Sequence, residues 1–378
     1  MPQRGVAEGP AKAETVSEPG AVRLHLPVSV PALVGTECNL YFDNAVLTPN
    51  SSALLFDVVC EKGRQLDERW AWSPTKDDVG VTPLRLEVRD AENRLIASGT
   101  TEVRVSQRSE REEPLSVLCV GDSITHGSAY TGRLLELGKT DAGPLLRLVG
   151  TNWIGEPSDN RHEGYSGWTA KHFVTHYTGA ARGGEYGRRG SPFLYVTKEG
   201  EQPLLDFGRY CDDANGGKAP DIVTIFLGPN DVFHYTDETI GAGVDQMLGY
   251  IDDLIQAIHR YAPKTKVAVL TPVPPAATQD AFGASYRSGQ TRWQYRRNQH
   301  RLVERMLETF SNREHELVYL VPTHLNLDCI RNYHGRTENV NGTSDKQVWR
   351  QTDGVHPDKD GHRQIADTIF AWLNSQAE

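Results

Sequence analysis

Apolar residues in this chain fall into two kinds of text that meet near residue 107. Between Ala21 and Ser106 they come in short alternating runs separated by turn residues: Val22-Leu24-Leu26, Leu54 to Val59, Leu84-Leu86-Val88 and Val103-Val105. The last three keep the period of two expected of strands with one buried face. This part predicts an antiparallel β-sandwich over residues 21–107. From Leu115 onward apolar strand-like runs recur between helical patterns: Leu115 to Val120, Leu145 to Val149, Asp221 to Leu227, Lys266 to Leu270 and Leu317 to Val321. Between the third and fourth, Val244, Met247, Leu248, Ile251, Leu254, Ile255 and Ile258 repeat at helical spacing and predict an amphipathic helix. Apolar strands alternating with helices imply a parallel sheet covered on both faces. The expected fold class is therefore α/β, a three-layer α/β/α unit over residues 115–378, preceded by a small all-β sandwich.

The remaining segments have other textures. Residues 1–20 are rich in Ala, Glu, Pro and Gly, with almost no large apolar side chain to offset the entropy of ordering, and are expected to be disordered. Gln107 to Pro114 is charged and ends in proline, which predicts an exposed linker over 108–114 and a domain boundary. Asp78-Val79-Gly80 leading into Leu84 to Asp90 is similar to the turn and late strands of immunoglobulin-like modules. A formal charge of -10 over 378 residues argues against nucleic acid or an anionic membrane as partner, since both need a basic face. The five cysteines show no Cys-x-x-Cys and no zinc-like spacing, so no metal is expected. No run reaches the length of a membrane span, and residues 1–20 carry no apolar leader. The chain as written reads as cytoplasmic, or as exported or periplasmic if a leader has been removed.

The polar residues that carry chemistry sit where strands end. Gly121-Asp122-Ser123-Ile124-Thr125 follows the first parallel strand, and Gly164-Tyr165-Ser166-Gly167-Trp168 follows the second by one loop. Gly228-Pro229-Asn230-Asp231 follows the third, and Asp353-Gly354-Val355-His356 precedes the last helical stretch. In an open parallel sheet, loops at the carboxyl ends of the strands face a common crevice. A serine, a histidine and an aspartate there are the groups of nucleophilic acyl transfer: the hydroxyl attacks, the imidazole takes its proton, and the carboxylate orients the ring. Any one of these motifs is a common turn or cap; their value lies in all four occurring in order.

This series of blocks resembles the SGNH family, also called GDSL hydrolases, over roughly residues 115–374. The resemblance implies a flavodoxin-like SGNH-hydrolase domain with Ser123 as nucleophile, His356 as general base and acid, and Asp353 as its orienting carboxylate. It further implies an oxyanion hole made by the backbone N–H groups of Ser123 and Gly167 and the side-chain amide of Asn230, with Gly164 as the competing assignment for Gly167. Ile124 stands where the family name has leucine. Gly-x-Ser-x-Gly, His-Glu-x-x-His, Walker A and Gly-x-Gly-x-x-Gly after a strand do not occur, which removes support for α/β-hydrolase, metalloprotease and nucleotide readings.

Candidates for substrate contact are Asp122, His126, Tyr165, Trp168 and Trp349. Two insertions add more: Lys171 to Pro220 with Arg182, Arg188 and Arg189, and Asn326 to Thr352 with Arg331, Tyr333 and His334. Aromatic faces beside Gly167 suit a sugar ring or an acyl chain. The expected activity is hydrolysis of a small acyl ester, acetyl above all, of a carbohydrate or related alcohol, on a small-molecule or polysaccharide substrate and without a cofactor. The alternatives are a lipase, lysophospholipase or thioesterase acting on longer chains, and a non-catalytic glycan-binding protein.

Overall fold

The computed structural model describes residues 22–48, 50–140, 143–155, 158–179 and 190–377. The expectations placed on residues 1–20 and on Arg182, Arg188 and Arg189 lie outside the described residues. The N-terminal part is built from β1 (Ser29–Leu33), β2 (Cys38–Tyr41), the single-turn helix α1 (Phe42–Ala45), β3 (Leu55–Val59), β4 (Arg64–Gln65), β5 (Arg69–Trp72), β6 (Gly80–Arg89) and β7 (Leu95–Ser106). They form a four-stranded sheet in the order β1-β7-β6-β3 and a three-stranded sheet in the order β2-β5-β4. Leu84, Leu86 and Val88, at alternating positions of β6, bury against Trp70, Trp72, Val103 and Val105. One pairing differs from the antiparallel expectation: β1 runs parallel to β7, Ser29 opposite Glu102 through Leu33 opposite Ser106. The run at Val22-Leu24-Leu26 makes only an isolated bridge, Leu24 to Val46.

The second part begins with β8 (Leu115–Gly121), the short helix α2 (Ser123–His126) and α3 (Ala129–Gly138), followed by β9 (Leu146–Val149), β10 (Glu163–Gly164) and α4 (Ala170–Thr175). Next come a two-strand ribbon, β11 (Leu194–Tyr195) with β12 (Leu204–Leu205), then α5 (Phe207–Asn215), β13 (Ile222–Phe226), α6 (Pro229–Val232), α7 (Ile240–Tyr261) and β14 (Lys266–Leu270). The chain closes with α8 (Gln279–Tyr286), α9 (Arg292–Phe310), β15 (Val318–Val321), a hairpin of β16 (Gly335–Asn339) and β17 (Gln347–Gln351), and α10 (Lys359–Ser375). The main sheet runs β10-β8-β13-β14-β15, with β9 beside the start of β8, and every pairing in it is parallel. This is the flavodoxin-like strand order, and its switch point lies between β8 and β13.

The largely apolar character of β8 follows from its two covered faces. Val117 and Cys119 pack with Tyr130, Leu134, Ile365 and Ile369 of α3 and α10. Leu118 and Val120, pointing the other way, pack with Ile251, Leu254 and Met306 of α7 and α9. The β-sheets of the N-terminal part are fastened to this unit by polar and apolar contacts alike. Leu325 joins the apolar core of the N-terminal sheets, Asn39 and Asn326 hydrogen-bond side chain to side chain at 3.0 Å, and Arg296, with only 3% of its side chain exposed, reaches Asp43 Oδ2 at 2.6 Å. The 108–114 segment carries no helix or strand, and just before and within it Gln107 and Ser109 are held by the Asn374 side chain of α10. Among the described residues no helix is long and apolar enough to cross a membrane.

Candidate active site

β8 and β13 end side by side, with Gly121 opposite Phe226. A methyl group at residue 121 would lie 2.0 Å from Thr125 Oγ1 and 2.9 Å from the Phe226 carbonyl oxygen, so only glycine lets the chain turn there. The turn is fixed by Asp122, whose Oδ1 accepts the Ile124 N–H at 3.0 Å and caps α2. Ser123 is thereby presented in the first turn of α2, and its own N–H has no acceptor among the described residues.

Opposite it, the loop before α10 brings His356 Nε2 to 2.9 Å from Ser123 Oγ, across 233 positions of sequence. Asp353 folds under the ring. Its Oδ1 accepts the N–H groups of Val355 and His356, both at 2.9 Å, and its Oδ2 is 3.1 Å from His356 Nδ1. Burial disfavours the Asp353 carboxylate, but the bonds and charge of His356 and the two backbone donors outweigh it and hold the group below its ordinary range. The Asp353 bond raises the His356 imidazole above its usual value, opposed by burial and helped by the charges of Asp353 and Asp122. The acceptor at Nδ1 leaves Nε2 as the nitrogen facing the hydroxyl.

The loops at this end of the sheet also carry three candidate donors. Asn230, in the first turn of α6, gives one amide hydrogen to the Trp168 carbonyl at 3.0 Å and keeps the other. The adjacent Asp231 accepts the Ala170 N–H at 2.9 Å, so two neighbouring side chains of one loop hold the next loop by its backbone. Just before these anchors Gly167 takes φ +77, a conformation that side-chain-bearing residues rarely adopt, with nothing within 4 Å of where a Cβ would stand. Its N–H has no acceptor among the described residues. Gly164, the competing candidate, is otherwise engaged: its N–H bonds His162 Nδ1 at 3.0 Å and its carbonyl accepts from Asn152 at 2.5 Å. The free donors are thus Ser123, Gly167 and Asn230.

Several of the candidates for substrate contact take other places. Asp122 is 1% exposed and serves as the cap described above. Tyr165 is also 1% exposed and its hydroxyl donates to the buried Glu163 at 2.5 Å, so it belongs to the core. Trp168 stacks with Tyr165 at 4.3 Å and with His172 at 5.6 Å, a packing column along α4. His126 Nδ1 lies 3.3 Å from the Gly164 carbonyl. Arg331 pairs with Glu68 at 2.6 Å and Asp328 at 3.1 Å, and Tyr333 is buried with its hydroxyl on the Pro274 carbonyl. His334 is exposed, and Trp349, at 49% exposure, stands on the β16–β17 hairpin just before Asp353. Sequence reasoning assigned no role to Asp231 or Asn152; the Asn-Asp doublet and an asparagine just after the second strand were the available signals.

Comparison with solved structures returns proteins similar to this chain at low identity. A family 3 carbohydrate esterase from Clostridium thermocellum is 19% identical, with 69% of this chain and 100% of that one covered and a TM-score of 0.39. A carbohydrate esterase family 3 protein from Talaromyces cellulolyticus is 18% identical, covers 70% and 98%, and scores 0.38. A lipase/acylhydrolase from Enterococcus faecalis is 14% identical, covers 69% and 96%, and scores 0.35. No curated protein matches the chain. The model of the GDSL-like lipase/acylhydrolase family matches residues 117–369, from the middle of β8 to α10 and through all four sequence blocks, and on that match this chain belongs to the GDSL-like lipase/acylhydrolase family, an ester-cleaving hydrolase family.

Proposed function

We propose that this protein is a serine esterase that removes a small acyl group, acetyl above all, from an oxygen of a carbohydrate or related alcohol. The observation that carries the reading is the 2.9 Å approach of Ser123 Oγ to His356 Nε2, with Asp353 Oδ2 3.1 Å from the other ring nitrogen. In this reading Ser123 Oγ attacks the ester carbonyl carbon while its proton passes to His356 Nε2. The charge that develops on the carbonyl oxygen is met by the N–H groups of Ser123 and Gly167 and by the second amide hydrogen of Asn230. His356 then returns the proton to the departing alcohol oxygen, and a water activated by the same nitrogen cleaves the acyl-serine.

The size of the acyl group is inferred from what fills the space around Gly354. Phe282, Tyr295 and Val355 are buried in one cluster with Phe233 and Tyr286 packed on it, and a methyl at residue 354 would meet Phe282 at 2.8 Å. A wall of this kind beside the triad suits a short acyl group better than a long chain. The carbohydrate side rests on the exposed indole of Trp349, on the strand that leads into the Asp353 loop, a face suited to a sugar ring. Initial rates on aryl acetate, butyrate, octanoate and palmitate, followed by acid analysis of digests of acetylated polysaccharides, test the reading. It expects acetate to lead both series; a maximum at eight carbons or beyond would favour the lipase alternative.

A further inference from the structure

Gly167 belongs to a four-residue turn. The Trp168 N–H closes it on the Tyr165 carbonyl at 3.2 Å, and Gly167 fills the third position at φ +77, a usual place for glycine in such turns. The aim of the Gly167 N–H therefore depends on where Tyr165 and Trp168 stand. Trp168 is held by its ring, stacked on Tyr165 at 4.3 Å, and by its carbonyl on Asn230. Tyr165 is held by its N–H, which reaches the Gly121 carbonyl at 3.0 Å, and by its hydroxyl, which reaches Glu163 Oε2 at 2.5 Å.

Glu163 is a fully buried acid on β10, and a buried carboxyl group is costly unless its oxygens are bonded. Both are bonded twice. Oε1 accepts the Thr151 N–H at 2.7 Å and the Tyr210 hydroxyl at 2.8 Å. Oε2 accepts the Tyr165 hydroxyl and, at 3.1 Å, the Thr151 hydroxyl. Thr151 follows β9 and Tyr210 lies on α5, so one side chain joins three separate segments of the chain. We propose that Glu163 is a positioning residue for the oxyanion hole: through the Tyr165 hydroxyl it fixes the turn that aims the Gly167 N–H. This role rests on the reading of Gly167 as an oxyanion donor. The symmetry of the bonds separates it from a purely structural one. Tyr165 and Tyr210 each give a hydroxyl to one oxygen of the same group, and each oxygen keeps a Thr151 donor when its phenol is lost. Only Tyr165 belongs to the turn.

The test compares Tyr165→Phe with Tyr210→Phe in the full chain, by kcat and KM on an aryl acetate and by Tm on the same samples. Each variant loses one buried hydrogen bond and is expected to lower Tm by a similar amount, about 2–4 °C. Tyr165→Phe should also lower kcat roughly 10- to 100-fold with KM within about threefold, because a misaimed donor fails only in the transition state. Tyr210→Phe should keep kcat within about twofold. Equal kcat in the two variants, kept or lost together, overturns the positioning role and leaves Glu163 as a core anchor. Glu163→Gln should rescue what Glu163→Ala loses, since its amide oxygen can keep the Thr151 N–H while its NH2 donates to the Tyr165 oxygen. The tie also has a readout without substrate: near-UV circular dichroism of the stacked Tyr165–Trp168 pair, expected to change in Glu163→Ala and to persist in Glu163→Gln. An unchanged spectrum in the alanine variant overturns the tie whatever becomes of the esterase reading, and if that variant does not fold, the two phenylalanine variants decide alone.

Discussion

Replacing Asn230 separates catalysis from architecture, because its amide is split between the two. One hydrogen is committed to the Trp168 carbonyl at 3.0 Å, in a partly buried position; the other is the proposed oxyanion donor. In Asn230→Ala the carbonyl loses its donor, which costs on the order of 1 kcal/mol of stability and about 2–4 °C in Tm for a unit of this size. The missing oxyanion donor costs about 3–4 kcal/mol of transition-state stabilisation, roughly a 100- to 1000-fold fall in kcat. KM is expected to stay within about threefold, since the donor acts on charge present only in the transition state. Asn230→Asp keeps the shape but sets a carboxylate beside Asp231 and the developing oxyanion, and is expected to fall at least as far. The assay is steady-state hydrolysis of an aryl acetate, with Tm measured on the same samples. An alanine variant with the lower Tm but wild-type kcat would refute the assignment, and would leave Asn230 as a loop anchor only.

Three further outcomes follow from the same structure. Activity requires neutral His356, whose pKa is raised chiefly by its bond to Asp353, so kcat/KM should rise with pH through a midpoint above the ordinary imidazole value. Asp353→Asn should lower both that midpoint and the rate, and an unmoved midpoint in the pH–rate profile contradicts the pairing. Arg296 is 3% exposed and bonds Asp43 and the carbonyls of Asp43 and Val46 across the junction between the two parts. Arg296→Ala should cost about 3–5 kcal/mol in denaturant unfolding, with Asp43→Asn milder because Asp43 is 35% exposed; the reverse order would contradict this packing. His25, His300 and His324 lie buried at the same junction, His25 stacked on His300, and burial lowers all three, His324 to about 4. Groups held neutral in this way contribute stability above the usual imidazole pKa and lose it as pH falls toward the folded value. Tm should therefore drop between pH 6 and pH 4, and less steeply in His300→Phe; equal slopes would remove the cluster as the cause.

The parallel strands could be read from sequence because both faces of β8, β13 and β14 are covered, which leaves runs that are almost wholly apolar. Ser123 and Asn230 stood out for a related reason, since each follows such a run where the chain must turn, and Asp353 and His356 because they stand together just before the last helix. What escaped the sequence depends on partners far away in it. The two residues of β10 carry no period at all, and β1 pairs with β7 in parallel across some seventy positions, which alternation along either strand cannot reveal. Gly164 and Gly167 are equivalent as text; only the hydrogen bonds of His162 and Asn152 at the first, and the positive φ at the second, tell them apart. Tyr165 and Trp168 have the composition of a sugar platform, yet the buried Glu163 takes the hydroxyl of one and ring stacking holds the other.

The most direct test of the account is covalent labelling of Ser123 by a fluorophosphonate, with the modified residue located by peptide mass spectrometry. The account predicts one adduct per chain, on Ser123, lost in Ser123→Ala and formed far more slowly in His356→Ala at unchanged Tm. An intact, folded protein that takes up no label, or takes it equally well without His356, would contradict the claim that these two side chains form a nucleophile and its base.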